Sequence, residues 1–309
     1  MNKKSVLGIF FCLLTAFFWG TTFVAQDKAA KVIPAFSFLA IRSFVAAAAL
    51  LPTFLIKDAI LKKHGISTQK EGSTLFLIKG GVLCGAILCA ASVLQQMGIG
   101  NNTGSPGKDA FISALYMVFV PVLLLFWGKR SAPHVYLSVG IALFGLWLLC
   151  MNDASMTLGD IQLMVCSLIY ALQIVTVDLF SPKVDGIKLS FVQFLSVGCF
   201  SLLCALIFEK PDISAFAGYW WTAVYAGLAA SAIGYTYQIL GQQRLPTTLA
   251  TLIFSLESVI AVLTGMAILH LYPTLSEGIG MALIFFAIVL SQLPSLRFWK
   301  KPKEPKKEN

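Results

Sequence analysis

The chemistry open to this chain is confined to a few polar side chains set in apolar surroundings. The clearest is Glu257, near the centre of the apolar run 246–269, which is long enough to cross a bilayer because about 20 helical residues suffice. A charge at the middle of a membrane helix costs about 2.5–3.5 kcal/mol on the insertion scale, so it faces a partner or a polar cavity. Arg42 is the corresponding charge in the run 34–56. At 1.5 Å per helical residue, Arg42 lies about 12 Å from one membrane face and Glu257 about 16 Å from the other. In a hydrocarbon core about 30 Å thick those depths let the two meet. Two readings stand: Arg42 and Glu257 form a buried structural pair, or Glu257 faces a cavity and exchanges a proton there.

Uncharged polar residues recur at helical spacing around these charges. Thr15, Trp19, Thr22 and Gln26 form one stripe, and Gln162, Cys166, Tyr170 and Gln173 a second. Ser231, Tyr235, Gln238 and Gln242 form a third, and Ser92, Gln95 and Gln96 a shorter fourth. Steps of about three and four residues place each set on one helix face. Hydrogen bonding between helices accounts for a single Ser or Thr. Glutamines weigh differently, because a primary amide in hydrocarbon needs several partners and is costly without them. The stripes therefore read as the wall of one central cavity. Its aromatic members, Trp19, Tyr116, Tyr170 and Tyr235, supply apolar faces with polar tips, which suits a small amphipathic ligand such as an amino acid.

Lys108 follows Pro106 and Gly107 in the first turn of its run, where the helix dipole disfavours a cation. It reads either as an anion contact at the outer mouth or as a snorkelling surface lysine. No catalytic or cofactor pattern is present: His64, His134 and His270 fall in loops or at run ends, and HExxH, Walker A, GxGxxG and GxSxG are all absent. The expectation is no cofactor, no metal and no enzyme, with an intramembrane enzyme and a passive channel as the alternatives to a carrier. Without a nucleotide site, movement of a solute would run downhill or be driven by a gradient, a proton gradient being the candidate.

The elements that must hold these residues follow from composition. With 58% hydrophobic and 12% charged residues in 309 and a mean hydropathy of +0.82, the chain has too few polar side chains to clothe a water-soluble domain. It reads as an all-α integral membrane protein. Apolar segments fall at 6–26, 34–56, 74–97, 107–127, 133–151, 158–180, 188–208, 215–241, 246–269 and 273–296, ten spans in all. The first is longer than a signal-peptide core and lacks a cleavage motif, so it reads as an uncleaved helix. The seven cysteines lack any CxxC pair and read as small packing residues.

The net charge of +9 does not point to nucleic acid. It collects in a tail, Arg297, Lys300, Lys301, Lys303, Lys306 and Lys307, beside a membrane helix, where anionic lipid attracts it. With the N-terminus inside, Lys3, Lys4, Lys57, Lys62, Lys63, Lys70, Lys129, Arg130, Lys183, Lys188 and Arg244 are cytoplasmic, against Lys28, Lys31, Lys108 and Lys210 outside. That asymmetry places both termini in the cytoplasm of a cell-membrane protein.

The two halves of the chain echo each other. Residues 15–27 parallel 166–178, pairing Trp19 with Tyr170 and Asp27 with Asp178; 94–98 parallel 237–241, pairing Gln95 with Gln238; and 133–143 parallel 273–283. Arg42 then corresponds to Gln193, and Glu257 to Tyr116. Two units of five spans, 1–151 and 152–297, followed by the basic tail 298–309, enter the membrane from opposite sides, which is the inverted duplication of secondary transporters.

WGTTFVAQ at 19–26, AIRSFVAA at 40–47, LQQMGI at 94–99, GKDAFISALYMVFVP at 107–121 and SLESVIAVL at 255–263 make the chain similar to the EamA branch of the drug/metabolite transporter superfamily. The resemblance spans nearly the whole chain and implies a ten-helix carrier working by alternating access, often exporting amino acids or other small metabolites. One departure stands out: many members carry Gly-Glu at the ends of the fourth and ninth helices, where this chain has Gly128-Lys129 and Leu269-His270.

Overall fold

The structure is a computed structural model that describes residues 3–65, 73–102, 105–126, 128, 132–150, 157–210, 213–272 and 274–292. Lys70, Lys129, Arg130 and the tail 298–309 lie outside the described residues. Among those described, every regular element is helical: α1 Lys3–Ala30, α2 Ala35–Lys63, α3 Thr74–Asn101, α4 Pro106–Ser113, α5 Tyr116–Phe126, α6 Pro133–Cys150, α7 Leu158–Phe180, α8 Gly186–Phe208, α9 Ile213–Tyr225, α10 Thr236–Gln242, α11 Thr247–Phe254, α12 Leu256–Leu269 and α13 Leu275–Gln292. A π-helical stretch, Ala226–Tyr235, joins α9 to α10.

Helix starts follow local chemistry. Pro34 and Pro246 stand immediately before α2 and α11, and Pro106 opens α4, where a missing N–H costs nothing. Ser73 and Ser105 accept from the backbone N–H of the third residue of α3 and α4, Phe76 and Lys108. Thr157 and Asp160 cap α7 reciprocally.

Seven helical stretches among the described residues are long and apolar enough to cross a bilayer, counting α4–α5 and α11–α12 as one stretch each. The other three expected spans correspond to the shorter apolar stretches in α6 and α13 and to the composite run from α9 through α10. Polarity is arranged inside out. Phe126, Leu206 and Phe208 are 82%, 68% and 73% exposed, whereas Arg42 and Glu257 are 3% and 4% exposed. Only a hydrocarbon surrounding rewards that arrangement.

Two of the expected continuous spans are broken. Between α4 and α5 the bonds tighten to the i→i+3 type: Leu115 N–H donates to Ile112 O at 3.3 Å and Met117 N–H to Ala114 O at 3.1 Å. Between α11 and α12 the Ser255 hydroxyl donates to Leu252 O at 2.7 Å and the Ser258 hydroxyl to Ser255 O at 2.5 Å. Such back-bonding competes with the helix ladder and bends it. Glu257 therefore sits just past a break and not mid-helix as the apolar run suggests.

α3 packs on α7 and α8, α2 on α8, α6 on α13, and α1 on α12 and on the α9–α10 run. α2 and α8 are antiparallel and fastened at both ends. The Glu209 carboxylate, just past α8, accepts from the N–H groups of Phe36 and Ser37 at 2.8 Å each and from the Ser37 hydroxyl at 2.7 Å, an anion on the positive end of α2. At the other end Lys57 bonds Asp185, and Lys188 meets Asp58 at 2.6 Å.

Asp185 also caps α8, accepting from Ile187 N–H at 3.0 Å and Lys188 N–H at 3.2 Å. Burial pushes its carboxyl up, but the Lys57 ammonium and the two N–H groups outweigh burial and hold it below the ordinary value of 3.8. A depressed carboxyl contributes stability that is fully present above that ordinary value and is lost as pH falls through the lower folded one. Asp185→Ala should therefore lower the stability of the detergent-solubilised protein by about 1–2 kcal/mol at pH 7. Thermal unfolding followed by circular dichroism should show the gap to the parent narrowing below pH 3.8.

Candidate functional site

The polar stripes converge. A cavity of about 20 Å³ lies among α1, α2, α3, α5, α7, the π-helical stretch and α12, and its lining includes Trp19, Thr22, Gln26, Arg42, Gln95, Tyr116, Tyr170, Gln173, Tyr235 and Glu257. That volume holds about one water. Gln96 and Gln238 stand behind this lining. Gln96 donates to the Gln26 carbonyl at 3.1 Å, and Gln238 to the Gln173 side-chain oxygen at 3.1 Å.

Close helix approach sets the two charges. A Cβ on Gly20 of α1 would fall 2.5 Å from the Glu257 carbonyl oxygen, and one on Gly227 would fall 2.7 Å from that of Arg42. Only glycine lets α1 and the π-helical stretch come so near. Arg42 and Glu257 do not pair as the depth argument allows. Arg42 Nη1 donates to Gln26 Oε1 at 2.8 Å, and Glu257 Oε1 accepts from the Tyr116 hydroxyl at 2.7 Å. The physical reason is local: each charge has a nearer neutral partner, and the cavity lies between them. Tyr116 and Glu257 thereby tie the break after α4 to the break after α11.

The amides and phenols form chains. Tyr170 donates to Gln95 Oε1 at 3.0 Å and shares a bond with Ser92 at 3.2 Å, while Gln95 donates to Ser113 at 3.3 Å. Gln173 passes the Gln238 bond on to Gln193 at 3.2 Å. Trp19 packs against Tyr235 with ring centroids 4.7 Å apart. Trp19 Nε1 and Arg42 Nε are buried without a hydrogen-bond partner, so two donors beside the cavity are left for something else to satisfy.

Lys108 is away from this lining. Its ammonium meets Asp160 at 3.3 Å with the side chain 11% exposed, so Asp160 occupies the charge that an incoming anion would use, and the lysine does not snorkel. It belongs to a cluster that the sequence reading missed: Asn102 donates to Asp109 at 2.7 Å and to Asp160 at 2.9 Å, and Thr157 donates to Asn102 at 2.8 Å. These bonds draw together the end of α3 and the starts of α4 and α7. At the opposite end Thr247, opening α11, donates to Asp178 at 2.6 Å, and Gln243 donates to Ser181 O at 2.6 Å. The capping pattern at 157–160 was the one available signal for the first cluster.

Tyr116→Phe should leave the Glu257 carboxyl without a donor and lower thermal stability by about 1–3 kcal/mol, the cost of an unsatisfied buried polar group. Adding Glu257→Leu should restore most of the loss, because removing both partners is nearly neutral. A Tyr116→Phe protein that melts with its parent would remove the bond's structural role.

The sequence model of the EamA-like transporter family matches residues 6–151 and 157–293. An uncharacterized transporter of Archaeoglobus fulgidus is 24% identical over 289 residues, covering 91% of this chain and 84% of that one. A solved crystal structure shares the fold with a TM-score of 0.70 at 18% identity, covering 94% of this chain and 97% of that one. Apolar outer surfaces, spans of bilayer length and a family match over both halves lead to one conclusion: the chain belongs to the EamA-like transporter family and is a membrane transporter.

Proposed function

We propose that the chain is a secondary carrier that exports a small amphipathic metabolite, an amino acid or a related compound, across the cell membrane by alternating access. The observation that carries this reading is the buried cavity with Arg42 and Glu257 in its wall, each held by a neutral group instead of by the other. A zwitterion fits such a wall: its carboxylate replaces Gln26 on Arg42, its ammonium replaces Tyr116 on Glu257, and its apolar part lies on Trp19 and Tyr235. Export is the direction that the family resemblance implies.

The architecture proposed is ten spans in two inverted five-span units, 1–151 and 152–297. Separate family matches over 6–151 and 157–293 support it. So does helix packing, which survives exchanging the halves: α3 on α7 answers the α9–α10 run on α1, while α2–α8 and α6–α13 map onto themselves. The lysine and arginine distribution favours cytoplasmic termini. In that orientation the Asn102–Asp160 cluster closes the outer end and the Thr247–Asp178 bond the inner end. With only about 20 Å³ between them, the centre has room for about one water and would admit substrate only once one end opens. Opening would bend α4–α5 and α11–α12 at their breaks, since i→i+3 stretches inside long helices mark hinges.

Proton coupling through Glu257 is favoured over a structural pair by its having Tyr116, and not Arg42, as its hydrogen-bond partner. Binding of substrate and of a proton would then compete at one carboxyl group. A passive channel would need an open lined path, for which the closed ends give no support, and the family relationship favours a transporter over an enzyme.

Tracer flux in proteoliposomes tests the reading. The parent should show saturable counterflow, and Gln95→Leu, which removes a cavity amide at similar volume, should reduce it at least ten-fold while folded protein is still recovered from the membrane. Glu257→Gln, which removes both the ammonium's partner and the exchangeable proton, should weaken counterflow and abolish accumulation driven by a pH gradient. Undiminished flux in Gln95→Leu would remove the cavity from recognition, and gradient-driven uptake surviving in Glu257→Gln would remove the carboxyl from coupling.

A further inference from the structure

A second hollow opens on the outside of the bundle. It is a groove of about 620 Å³ between the C-terminal half of α1, the α9 end of the composite run and the end of α12. Its walls are apolar, and Trp220, Trp221, Leu228 and Ile268 stand there 55%, 41%, 42% and 53% exposed. On a surface that faces acyl chains such a groove does not stay empty.

The rim of the groove is not apolar. Lys28 lines it, with its ammonium 5.8 Å from the centroid of the Trp221 ring. The neighbouring Lys31 is taken by Asp27 at 3.1 Å. No carboxylate among the described residues pairs with Lys28. Tryptophans settle at the headgroup level of a bilayer, so Trp220 and Trp221 put this ammonium at phosphate depth, where weak solvent screening strengthens attraction to an anion.

We propose that the groove binds an anionic phospholipid, with one acyl chain lying against Trp220, Leu228 and α1 and the phosphodiester on Lys28. Apolar volume below and the Lys28 ammonium above match a lipid, whereas free phosphate would leave the groove unfilled. The site backs directly onto the cavity wall. Thr21 and Ala25 face the groove, while Thr22 and Gln26, their neighbours on α1, line the cavity. A bound chain would thus brace α1 from behind.

Native mass spectrometry of the delipidated, detergent-solubilised protein, titrated with phosphatidylglycerol or with phosphatidylcholine of the same chains, tests the proposal. The parent should retain phosphatidylglycerol in preference. Lys28→Gln should weaken that lipid about five-fold, the factor one basic contact supplies at an anionic headgroup, and leave phosphatidylcholine unchanged. Leu228→Trp, which fills the groove, should weaken both lipids. Lys31→Gln should change neither. Equal retention of the two lipids by the parent, an unchanged preference in Lys28→Gln, or the same loss in Lys31→Gln would each overturn it, the last by showing diffuse surface charge instead of a site.

Discussion

A carboxyl group buried inside a membrane bundle needs a donor, and Glu257 takes the Tyr116 hydroxyl at 2.7 Å. Unmet polar groups in hydrocarbon cost several kcal/mol each, so this one bond dictates where the surrounding helices can stand. It brings the start of α5 to the start of α12, which are the two points where long spans are interrupted. Gly20 then lets α1 lie against the backbone of Glu257, carrying Trp19, Thr22 and Gln26 into the same cavity. The site is assembled around a hydrogen bond between two helix breaks.

The rest of the bundle divides by how it is fastened. α2 and α8 are tied at one end through Glu209 and at the other through Lys57, Asp58, Asp185 and Lys188, and neither helix is broken. The α4–α5 and α11–α12 spans are broken and are held at their starts by single side-chain clusters, around Asn102 and Asp160 at one end and Asp178 at the other. A fixed pair beside two jointed ones is the arrangement a rocking carrier needs, because packed interfaces switch between discrete states and do not deform smoothly. The π-helical stretch adds a further joint beside the cavity, with Ser231 Oγ buried there without a hydrogen-bond partner.

Most of the cavity was legible in the sequence, since an amide or a charge in an apolar run has to face inward and helical spacing says which residues share a face. Trp19, Thr22, Gln26, Gln95, Tyr170, Gln173 and Tyr235 met for that reason. Gln96 and Gln238, expected in the wall, stand behind it on Gln26 and Gln173, because spacing tells which face an amide lies on and not how near the centre it reaches. Depth along a helix was also legible, which is why Arg42 and Glu257 share a cavity. Rotation and breaks were not: Ser255 and Ser258 look like ordinary small residues until their hydroxyls bond back along the helix. The Asn102 cluster joins residues distant in sequence whose polarity, read alone, suits any loop.

The central claim is that one buried cavity opens to one side of the membrane at a time. A single cysteine at position 95, in an otherwise cysteine-free protein, reports it most directly. Membrane-impermeant thiol reagents are applied to sealed vesicles from either face, both to this protein and to one in which two further cysteines, at positions 102 and 160, are oxidised to a disulfide that holds one end shut. The account predicts labelling from both faces in the free protein, and loss of labelling from the cross-linked face alone while the opposite face still reacts. Labelling from both faces after cross-linking, or from neither face in the free protein, would contradict it.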